Sequence, residues 1–235
     1  MIAPEGEPAG AVFATYNIHR AVGGDWRFDP ERIAQVLSEI NPDVIALQEV
    51  QTGTTGRRLL HEFAAVLGAE PITGMTMLRQ DSEYGNALLS RFPVLAVERV
   101  DLSVGPHEPR GALDVLLEVA GRPLRVLATH LGLWPYERRR QVRRLLGELE
   151  RHRDMPTVLM GDLNEWYLWG RPLRWMHGRF QRTPAPATYP ARRPFLALDR
   201  MWVEPRLLLG RLAVHATPIA RIASDHLPLV ATLRT

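Results

Sequence analysis

The segment TVLMGDLN, residues 157–164, places a carboxylate and a carboxamide two positions apart at the end of an apolar run. Its first half has the composition of a buried strand, and side chains along a strand alternate between the two faces of a sheet. Asp162 and Asn164 are therefore predicted to point the same way, with Leu163 turned back into the core. Such a polar pair suits binding or chemistry, although Asp-x-Asn also forms ordinary turns.

Polar side chains also end, or stand beside, other predicted strands. The set comprises Asn17, Gln48, Glu49, Thr129, His130, Asp199, Ser224, Asp225 and His226. Each alone is typical of a solvated charge or a structural hydrogen bond, but loops at strand ends are where sheets hold reactive groups. Together they supply the hard oxygen ligands that a magnesium-like ion prefers, and two imidazoles for proton transfer. A zinc site would need more nitrogen or sulfur than this set offers.

The order of predicted elements repeats along the chain. The strand AVFATYN precedes a helix that Asp29 caps and Pro30 begins, and the strand VIALQEV and a second helix follow. Several short strands then lead to a helix with an apolar face between Val142 and Leu149, the strand TVLMGDLN, a loop-rich stretch and three more strands. This recurrence predicts two similar halves.

No low-complexity linker separates the two halves. We therefore expect them to pack face to face as one domain over residues 11–235, with two sheets inside and helices outside. Residues 1–10, MIAPEGEPAG, are expected to form a flexible leader. No apolar run reaches the roughly 20 residues that span a bilayer, and the start lacks a signal-peptide pattern, so a cytoplasmic location is expected.

The basic residues are all arginine, because the 29 Lys+Arg positions include no lysine. Arginine stays charged and grips phosphate in a fork, which suits a phosphate-bearing partner, although a GC-rich coding bias is the simpler cause of the missing lysines. The absence of cysteine excludes disulfides, thiolate zinc sites and cysteine nucleophiles.

Seven segments, in order, resemble motifs of the endonuclease/exonuclease/phosphatase superfamily, which includes DNase I-like nucleases, abasic-site endonucleases, neutral sphingomyelinases and inositol polyphosphate 5-phosphatases. The segments are TYNIH, NPDVIALQEV, YGNALLSRFP, ATHL, GDLN, LDRMW and ASDHLPL. They cover nearly the whole chain, and the combination of LQE, GDLN and a C-terminal SDH is a strong signal. The resemblance implies an α/β fold, a four-layer α/β/β/α sandwich of two mostly antiparallel sheets flanked by helices.

The resemblance also implies a metal side and a substrate side of the site. Glu49 corresponds to the principal Mg²⁺ ligand, and Asn17 to the residue beside it. Asp225 resembles a further carboxylate on the metal side. Mn²⁺ is expected to substitute for Mg²⁺. Asn86 and Arg91 lie in a family-like segment and are predicted to contact substrate.

Five further residues correspond to the family's catalytic groups. His130 matches the histidine that contacts the scissile phosphate, and Asn164 the residue that binds phosphoryl oxygens. Asp162 matches the group that orients or deprotonates the attacking water. His226 matches a second histidine, which Asp199 holds. Which of Asp162 and His226 activates the water stays open at this point.

The substrate class stays open between nucleic acid and a phospholipid headgroup. Trp134 and Trp166 closely follow His130 and GDLN, and both are predicted to contact substrate. Amphipathic aromatics suit a membrane-interface rim or a platform for an unpaired base, and capping of the core is the ordinary alternative. A Mg²⁺-dependent phosphodiesterase, with peripheral membrane contact if its substrate is lipid, is the leading hypothesis. The alternative is a catalytically silent nucleic-acid or membrane-surface binding module that retains the fold.

Overall fold

A computed structural model describes residues 10–52, 54–79 and 82–234, so residues 1–9 of the expected leader lie outside the described residues. The strands are β1 (Ala11–Asn17), β2 (Val44–Thr52), β3 (Glu70–Arg79), β4 (Ser82–Ser90), β5 (Val94–Asp101), β6 (Gly111–Val119), β7 (Arg122–His130), β8 (Thr157–Asp162), β9 (Asp199–Glu204), β10 (Leu209–Val214) and β11 (Leu229–Leu233). The helices are α1 (Pro30–Ile40), α2 (Thr54–Leu67), α3 (Pro135–Arg151), α4 (Arg171–Arg179) and α5 (Ala220–Ala223), with 3₁₀ turns at His19–Ala21 and Arg206–Leu208.

The strands form two mixed sheets, in the orders β10-β11-β1-β2-β4-β3 and β5-β6-β7-β8-β9. One pair in each sheet is parallel, β1 with β2 and β7 with β8, and the other described pairs are antiparallel. Parallel neighbours need a long crossover, and α1 and α3 supply it in the two halves. The prediction of two mostly antiparallel sheets is confirmed.

Three apolar clusters separate four layers. Residues such as Phe13 and Val126 fill the space between the two sheets. A second cluster, with Ile33 and Phe63, joins the outer face of the first sheet to α1 and α2, and a third, with Leu145, joins the second sheet to α3 and α4. The predicted α/β/β/α sandwich is therefore confirmed.

Local signals at α1 also agree with the sequence. The Asp29 carboxylate accepts a hydrogen bond from the backbone N–H of Arg32 at 3.3 Å, and Pro30 occupies the first turn. Asn41 ends the helix in the left-handed conformation. Together these residues fix the point at which the chain turns back into β2.

Strand β3 and helices α4 and α5 were not predicted, and the strand predicted in FLALDRMWV is shorter than expected. Strand β3 lacks a clear alternation of apolar and polar residues, and it pairs only with β4 at the sheet edge. Helix α4 buries Leu173 and Met176 within a stretch that reads as a loop. In FLALDRMWV the strand begins only at Asp199, because Leu196 forms an isolated bridge with Tyr189 instead. None of the described helices is long and apolar enough to cross a membrane.

The strand directions bring polar residues to one edge of the sandwich, which we call the polar edge. The parallel strands β1, β2, β7 and β8 contribute their carboxyl-terminal parts there, and the antiparallel strands β9 and β11 contribute their amino-terminal ends. Residues that are far apart in sequence, such as Asn17 and Asp225, therefore meet at this edge.

Candidate active site

Three candidate residues lie in a single row across the second sheet. His130 in β7 pairs with Asp162 in β8, and Asp162 pairs with Asp199 in β9. The preceding residue, Gly161, has a φ of +148°, and a Cβ there would stand 1.9 Å from the carbonyl oxygen of Thr129. Only glycine fits this position, which explains why it directly precedes the row.

Asp162 is buried at the centre of the cluster. Its Oδ2 accepts a hydrogen bond from Asn17 Nδ2 at 3.1 Å, and its Oδ1 accepts one from the backbone N–H of Asn164 at 2.8 Å. Nε2 of His130 and Nε2 of His226 lie 3.6 and 3.7 Å from Asp162 Oδ2. Burial raises the pKa of Asp162 to about 6, although the charge of His226 opposes that rise. A carboxylate with this pKa can take up a proton near neutral pH.

His226 and Asp199 form a buried pair. Nδ1 of His226 lies 2.8 Å from Asp199 Oδ2, which also accepts a hydrogen bond from Thr188 Oγ1 at 2.6 Å. Burial favours the neutral imidazole, but the carboxylates of Asp199 and Asp162 outweigh it and raise the pKa of His226 to about 10. The ring of Tyr189 packs on the His226 ring at 4.9 Å between centroids. His226 is therefore positively charged at neutral pH in the metal-free protein.

His130 has the opposite electrostatic state. Its Nδ1 lies 3.0 Å from Nη1 of Arg110, and a guanidinium can only donate, so Nδ1 is the acceptor and the ring proton lies on Nε2. Burial, with the charges of Arg110 and His226, lowers the pKa of His130 well below its ordinary value. Its Nε2 faces Asp162 Oδ2 at 3.6 Å. Asn164 Nδ2 donates to the Leu131 carbonyl at 3.0 Å and lies 3.1 Å from His130 Nε2, so in this tautomer the two N–H groups face each other without a hydrogen bond between them.

The predicted metal-side residues come from the first sheet and from the loop before β11. Glu49 lies within β2 at an irregularity of the ladder between Leu47 and Val50, with a φ of +56°, and not at the end of the strand. Asn17 Nδ2 donates to Glu49 Oε1 at 3.2 Å as well as to Asp162. One amide therefore faces carboxylates from both sheets.

Asp225 lies at the open side of the cluster. Its Oδ1 lies 3.3 Å from Ser224 Oγ and 3.9 Å from Nδ1 of His19. The Ser224 hydroxyl donates to the backbone carbonyl of Asn17 at 2.7 Å, which ties this loop to the end of β1.

The donor atoms suit a hard divalent cation. Within the described chain, Asp162, Asp199 and His226 offer ligand atoms that lie within 4.8 Å of one another. Asp199 Oδ2 and His226 Nδ1 already bind each other, whereas Asp199 Oδ1 is buried without a hydrogen-bond partner in the described structure. Glu49 adds further carboxylate oxygen beside Asp162. A set of this kind can hold a divalent metal ion.

Three of the four predicted substrate contacts lie toward the polar edge. Asn86 is buried in β4 and donates to the Gly111 carbonyl at 3.2 Å, one residue after Arg110. Trp134 and Trp166 are exposed on the loops after β7 and β8. Their placement is compatible with contact to a substrate.

Arg91 is not brought to the cluster, and the structure corrects its predicted role. Its Nε donates to the Leu67 carbonyl at 2.6 Å, and its other nitrogens contact Asn41 and Asp43. These partners precede β2 or end α2, at the opposite end of the sheet from Glu49. Arg91 therefore links the end of α2 to the turn between α1 and β2, and it does not reach a substrate at the polar edge.

The structure adds residues that the sequence analysis does not assign. Arg110 sets the tautomer of His130, Thr188 and Tyr189 hold the His226–Asp199 pair, and His19 faces Asp225. Arg110 directly precedes a predicted strand, and the antiparallel partner of that strand ends in His130. The proximity of Arg110 to His130 could therefore be predicted from the sequence. Thr188 and Tyr189 lie in a loop-rich stretch whose path no local pattern gives.

A cleft of about 600 Å³ opens beside the cluster. Its lining residues are His19, Gly23, Gly24, Trp26, Tyr189, Pro190, Ala191, Arg192, Arg193, Ser224 and Asp225. Tyr189 and Asp225 belong to both the cleft and the cluster, so solvent and a substrate can approach the buried catalytic groups from this side.

The cluster and the fold around it define a class of enzyme. An α/β/β/α sandwich that gathers two histidines and several carboxylates at one edge has the organisation of a DNase I-like phosphoester hydrolase. The model of the Endonuclease/Exonuclease/phosphatase family matches residues 14–226, and the chain belongs to this family. Endonucleases, exonucleases and phosphatases all hydrolyse phosphoric esters, so the predictions of family and of enzyme class are confirmed.

Relatives extend over almost the whole chain. It is 30% identical to the uncharacterized protein YbhP of Escherichia coli K12 over 243 aligned positions, 93% of this chain and 94% of that protein. An endonuclease/exonuclease/phosphatase from Beutenbergia cavernae is similar at 26% identity and a TM-score of 0.79, covering 97% of this chain and 72% of that one. The human Nocturnin catalytic domain, solved with bound sulfate, has the same fold at 19% identity and a TM-score of 0.75, over 96% and 93% of the two chains.

Proposed function

We propose that the protein is a divalent-metal-dependent phosphodiesterase. The observation that carries this proposal is the buried row of His130, Asp162 and Asp199, with His226 bound to Asp199 and the Asn17–Glu49 pair facing Asp162. Hydrolysis of a diester requires a positioned water, stabilisation of negative charge and protonation of the leaving oxygen. The cluster contains a group of suitable charge for each requirement.

The metal of this proposal is Mg²⁺, with Mn²⁺ as a substitute. Glu49, Asn17 and Asp225 would hold the ion: Asn17 Nδ2 donates to Glu49 Oε1, and Ser224 binds the Asn17 carbonyl and so brings the neighbouring Asp225 to the same place. When bound, the ion supplies positive charge to the phosphate oxygens.

The chain's own residues supply proton transfer and orientation. Asp162, whose pKa is raised to about 6, accepts the proton of the attacking water, and His226, which Asp199 holds in its charged form, donates a proton to the leaving oxygen. His130 is neutral and donates from Nε2 to a phosphoryl oxygen, and the Asn164 amide binds beside it. This division of roles assigns water activation to Asp162, because a charged His226 cannot act as a base.

The substrate of this proposal is a phosphodiester in nucleic acid or in a phospholipid headgroup. The exposed Trp134 and Trp166 and the deeper Asn86 are proposed contacts. A cytoplasmic protein with peripheral membrane contact is compatible with either substrate.

A substrate panel tests the proposal. It comprises bis-p-nitrophenyl phosphate, DNA, RNA, abasic DNA and phospholipids, each with Mg²⁺ or Mn²⁺ and with a chelator. We expect hydrolysis of at least one diester that the chelator abolishes and added Mg²⁺ restores. Activity that persists in the chelator would contradict the metal assignment. Silence across the panel would favour the binding module that retains the fold.

A further inference from the structure

Seven large apolar side chains stand exposed next to the candidate active site, and we call this surface the aromatic face. Its members are Leu133, Trp134, Tyr136, Trp166, Tyr167, Leu168 and Trp169. They come from the two segments that directly follow β7 and β8, the strands that end in His130 and Asp162. Leu168 and Trp169 are 65% and 74% exposed, so their apolar surface is not used to cap the core.

A buried arginine holds the two segments together. Arg138 in α3 is fully buried, and its guanidinium pairs with Glu165 at 3.2 Å and stacks 4.5 Å from the centre of the Trp166 ring. The same guanidinium donates to the Leu133 carbonyl. One side chain thus fixes the segment after β7 against the segment after β8, and the aromatic face is a single surface.

The rings of the second segment form a continuous row. Trp166 and Tyr167 lie 5.8 Å apart, and Tyr167 and Trp169 lie 6.4 Å apart between ring centroids. Aromatic contacts of this length are favourable and reduce the cost of ordering the side chains. The loop therefore presents a preformed apolar ridge.

The exposed charged residues on the two segments, and on the helices that follow them, are mainly positive. The exposed arginines of α3 and α4 in this region are Arg140, Arg143, Arg144, Arg171 and Arg174. Glu137 is the only acidic residue between positions 133 and 147, and it is 2% exposed; positions 166–179 contain none. Glu148 and Glu150 lie farther along α3 and pair with Arg151 and Arg153. α3 and α4 thus border the aromatic face with an excess of positive charge. Two acidic residues approach from the segment around the end of β5: Asp101 lies near Arg144, and Glu108 follows His107, whose ring lies 6.4 Å from the Trp134 ring.

The leucines of the aromatic face favour a membrane over a nucleic acid as its partner. Stacking on bases uses ring faces and gains nothing from Leu133 and Leu168, which project beside the tryptophans. Insertion at the headgroup level of a bilayer uses leucine and tryptophan together, and arginines at the border bind anionic headgroups. We propose that the aromatic face docks on an anionic lipid bilayer.

Docking there places the active site at the bilayer. Leu131 N–H bonds to the Asp162 carbonyl at 2.9 Å, and Glu165 follows Asn164 directly, so each exposed segment begins within a few residues of a catalytic group. If the proposed function holds, a phospholipid headgroup becomes the favoured substrate. The docking itself does not depend on catalysis.

Vesicle binding tests the docking. The full-length protein is sedimented with phosphatidylcholine vesicles that contain or lack phosphatidylserine, and tryptophan emission reports insertion. We expect binding to the anionic vesicles with a blue shift, which rising salt weakens. The double variant L168S/W169S should bind at least about tenfold more weakly, since two large apolar groups are lost. It should still hydrolyse bis-p-nitrophenyl phosphate, which shows that the fold is retained.

Control substitutions far from the aromatic face test whether the loss of vesicle binding is specific to that face. Leu207 is 67% exposed but follows β9 at the opposite end of the sandwich, so L207S should bind vesicles like the parent. R140Q/R143Q should lose about fivefold for each arginine, whereas R122Q, at the far end of β7, should not. H226A should bind normally even if it is inactive, which keeps a failure of docking distinct from a failure of the proposed function.

Two results would overturn the proposal. One is equal sedimentation of the parent and L168S/W169S with anionic vesicles. The other is no vesicle binding together with binding of single-stranded DNA that L168S/W169S loses, which would assign the aromatic face to nucleic acid.

Discussion

The two ends of the sandwich use charged side chains differently. Toward the far end, each buried or half-buried arginine meets a carboxylate or a carbonyl: Arg125 binds Asp114, Arg179 binds Glu204, and Arg91 binds the Leu67 carbonyl. At the polar edge, four carboxylates gather on Glu49, Asp162, Asp199 and Asp225. Within the described chain, the ion pairs of Asp162, Asp199 and Asp225 are with histidine and not with arginine, and Glu49 accepts a hydrogen bond from the Asn17 amide.

The difference separates structural charges from reactive ones. When an arginine pairs with a buried carboxylate, it neutralises the charge and occupies the oxygens that could otherwise bind a ligand. Carboxylates that converge without arginine leave negative charge for a cation and leave proton affinity for chemistry. The residue type alone does not show whether a buried aspartate is structural or reactive. The end of the sandwich at which the aspartate lies separates the two cases here.

Asp162 and Asp114 allow the sharpest comparison, because both are buried aspartates of the second sheet. We expect Asp162→Asn to lower kcat on bis-p-nitrophenyl phosphate at least about a hundredfold, since the group that accepts the proton of water is lost. Its free energy of unfolding should stay close to that of the parent, because Asn keeps the size of the side chain. Parental kcat in this variant would remove Asp162 from the mechanism.

Asp114→Asn should have the converse effect. Arg125 donates three hydrogen bonds to Asp114, and their loss leaves a buried guanidinium without its counter-charge. We expect the free energy of unfolding in urea to fall by about 3–5 kcal/mol. The kcat of the folded fraction should not change. A catalytic defect without a loss of stability would show that the far end is not purely structural.

Arg110 and Arg91 form a second matched pair with a smaller expected effect. Arg110→Met removes the donor to His130 Nδ1, so the pKa of His130 should rise in an NMR titration and kcat should fall about ten- to a hundredfold. Arg91→Met should cost about 1–3 kcal/mol of stability, because carbonyl partners lose their donor, with kcat unchanged. An equal loss of kcat in both variants would contradict their different assignments.

The pH dependence of stability gives the smallest signal. In the metal-free protein the pKa of His226 is raised from 6.5 to about 10, so the folded state binds more protons than the unfolded state between these values. The stabilisation is complete below pH 6.5 and is lost as the pH rises toward 10. Urea unfolding across this window should show a fall in stability that is smaller in His226→Gln. A His226 pKa near 6.5 by NMR would contradict the positive charge assigned to this ring.

Much of the fold could be predicted because it depends on local patterns. The cap at Asp29 and Pro30, the apolar faces of the helices and the alternating strands all carry short-range signals. Strand β3 and helix α4 could not be predicted, since pairing at an edge and burial of two residues in a short helix depend on neighbours that are distant in sequence.

The site was predictable as a set of residue types but not as a set of contacts. Polar residues at strand ends identified Asp162 and His130, because the direction of strands alone brings them together. Arg91 and Arg110 both lie directly beside strands. Arg91 follows β4, whose carboxyl end pairs with the start of β2, whereas Arg110 precedes β6, whose amino end pairs with the end of β7 at the polar edge.

The most direct test of a single metal-dependent hydrolytic centre is the turnover of purified His226→Ala on bis-p-nitrophenyl phosphate with Mg²⁺. His226 belongs to the last loop of the chain, and it meets Asp199 and Asp162 only if the cluster forms as described. We expect a kcat at least about a hundredfold below that of the parent, with the thermal unfolding of the variant still cooperative. Turnover at the parental rate would contradict a hydrolytic role for this cluster.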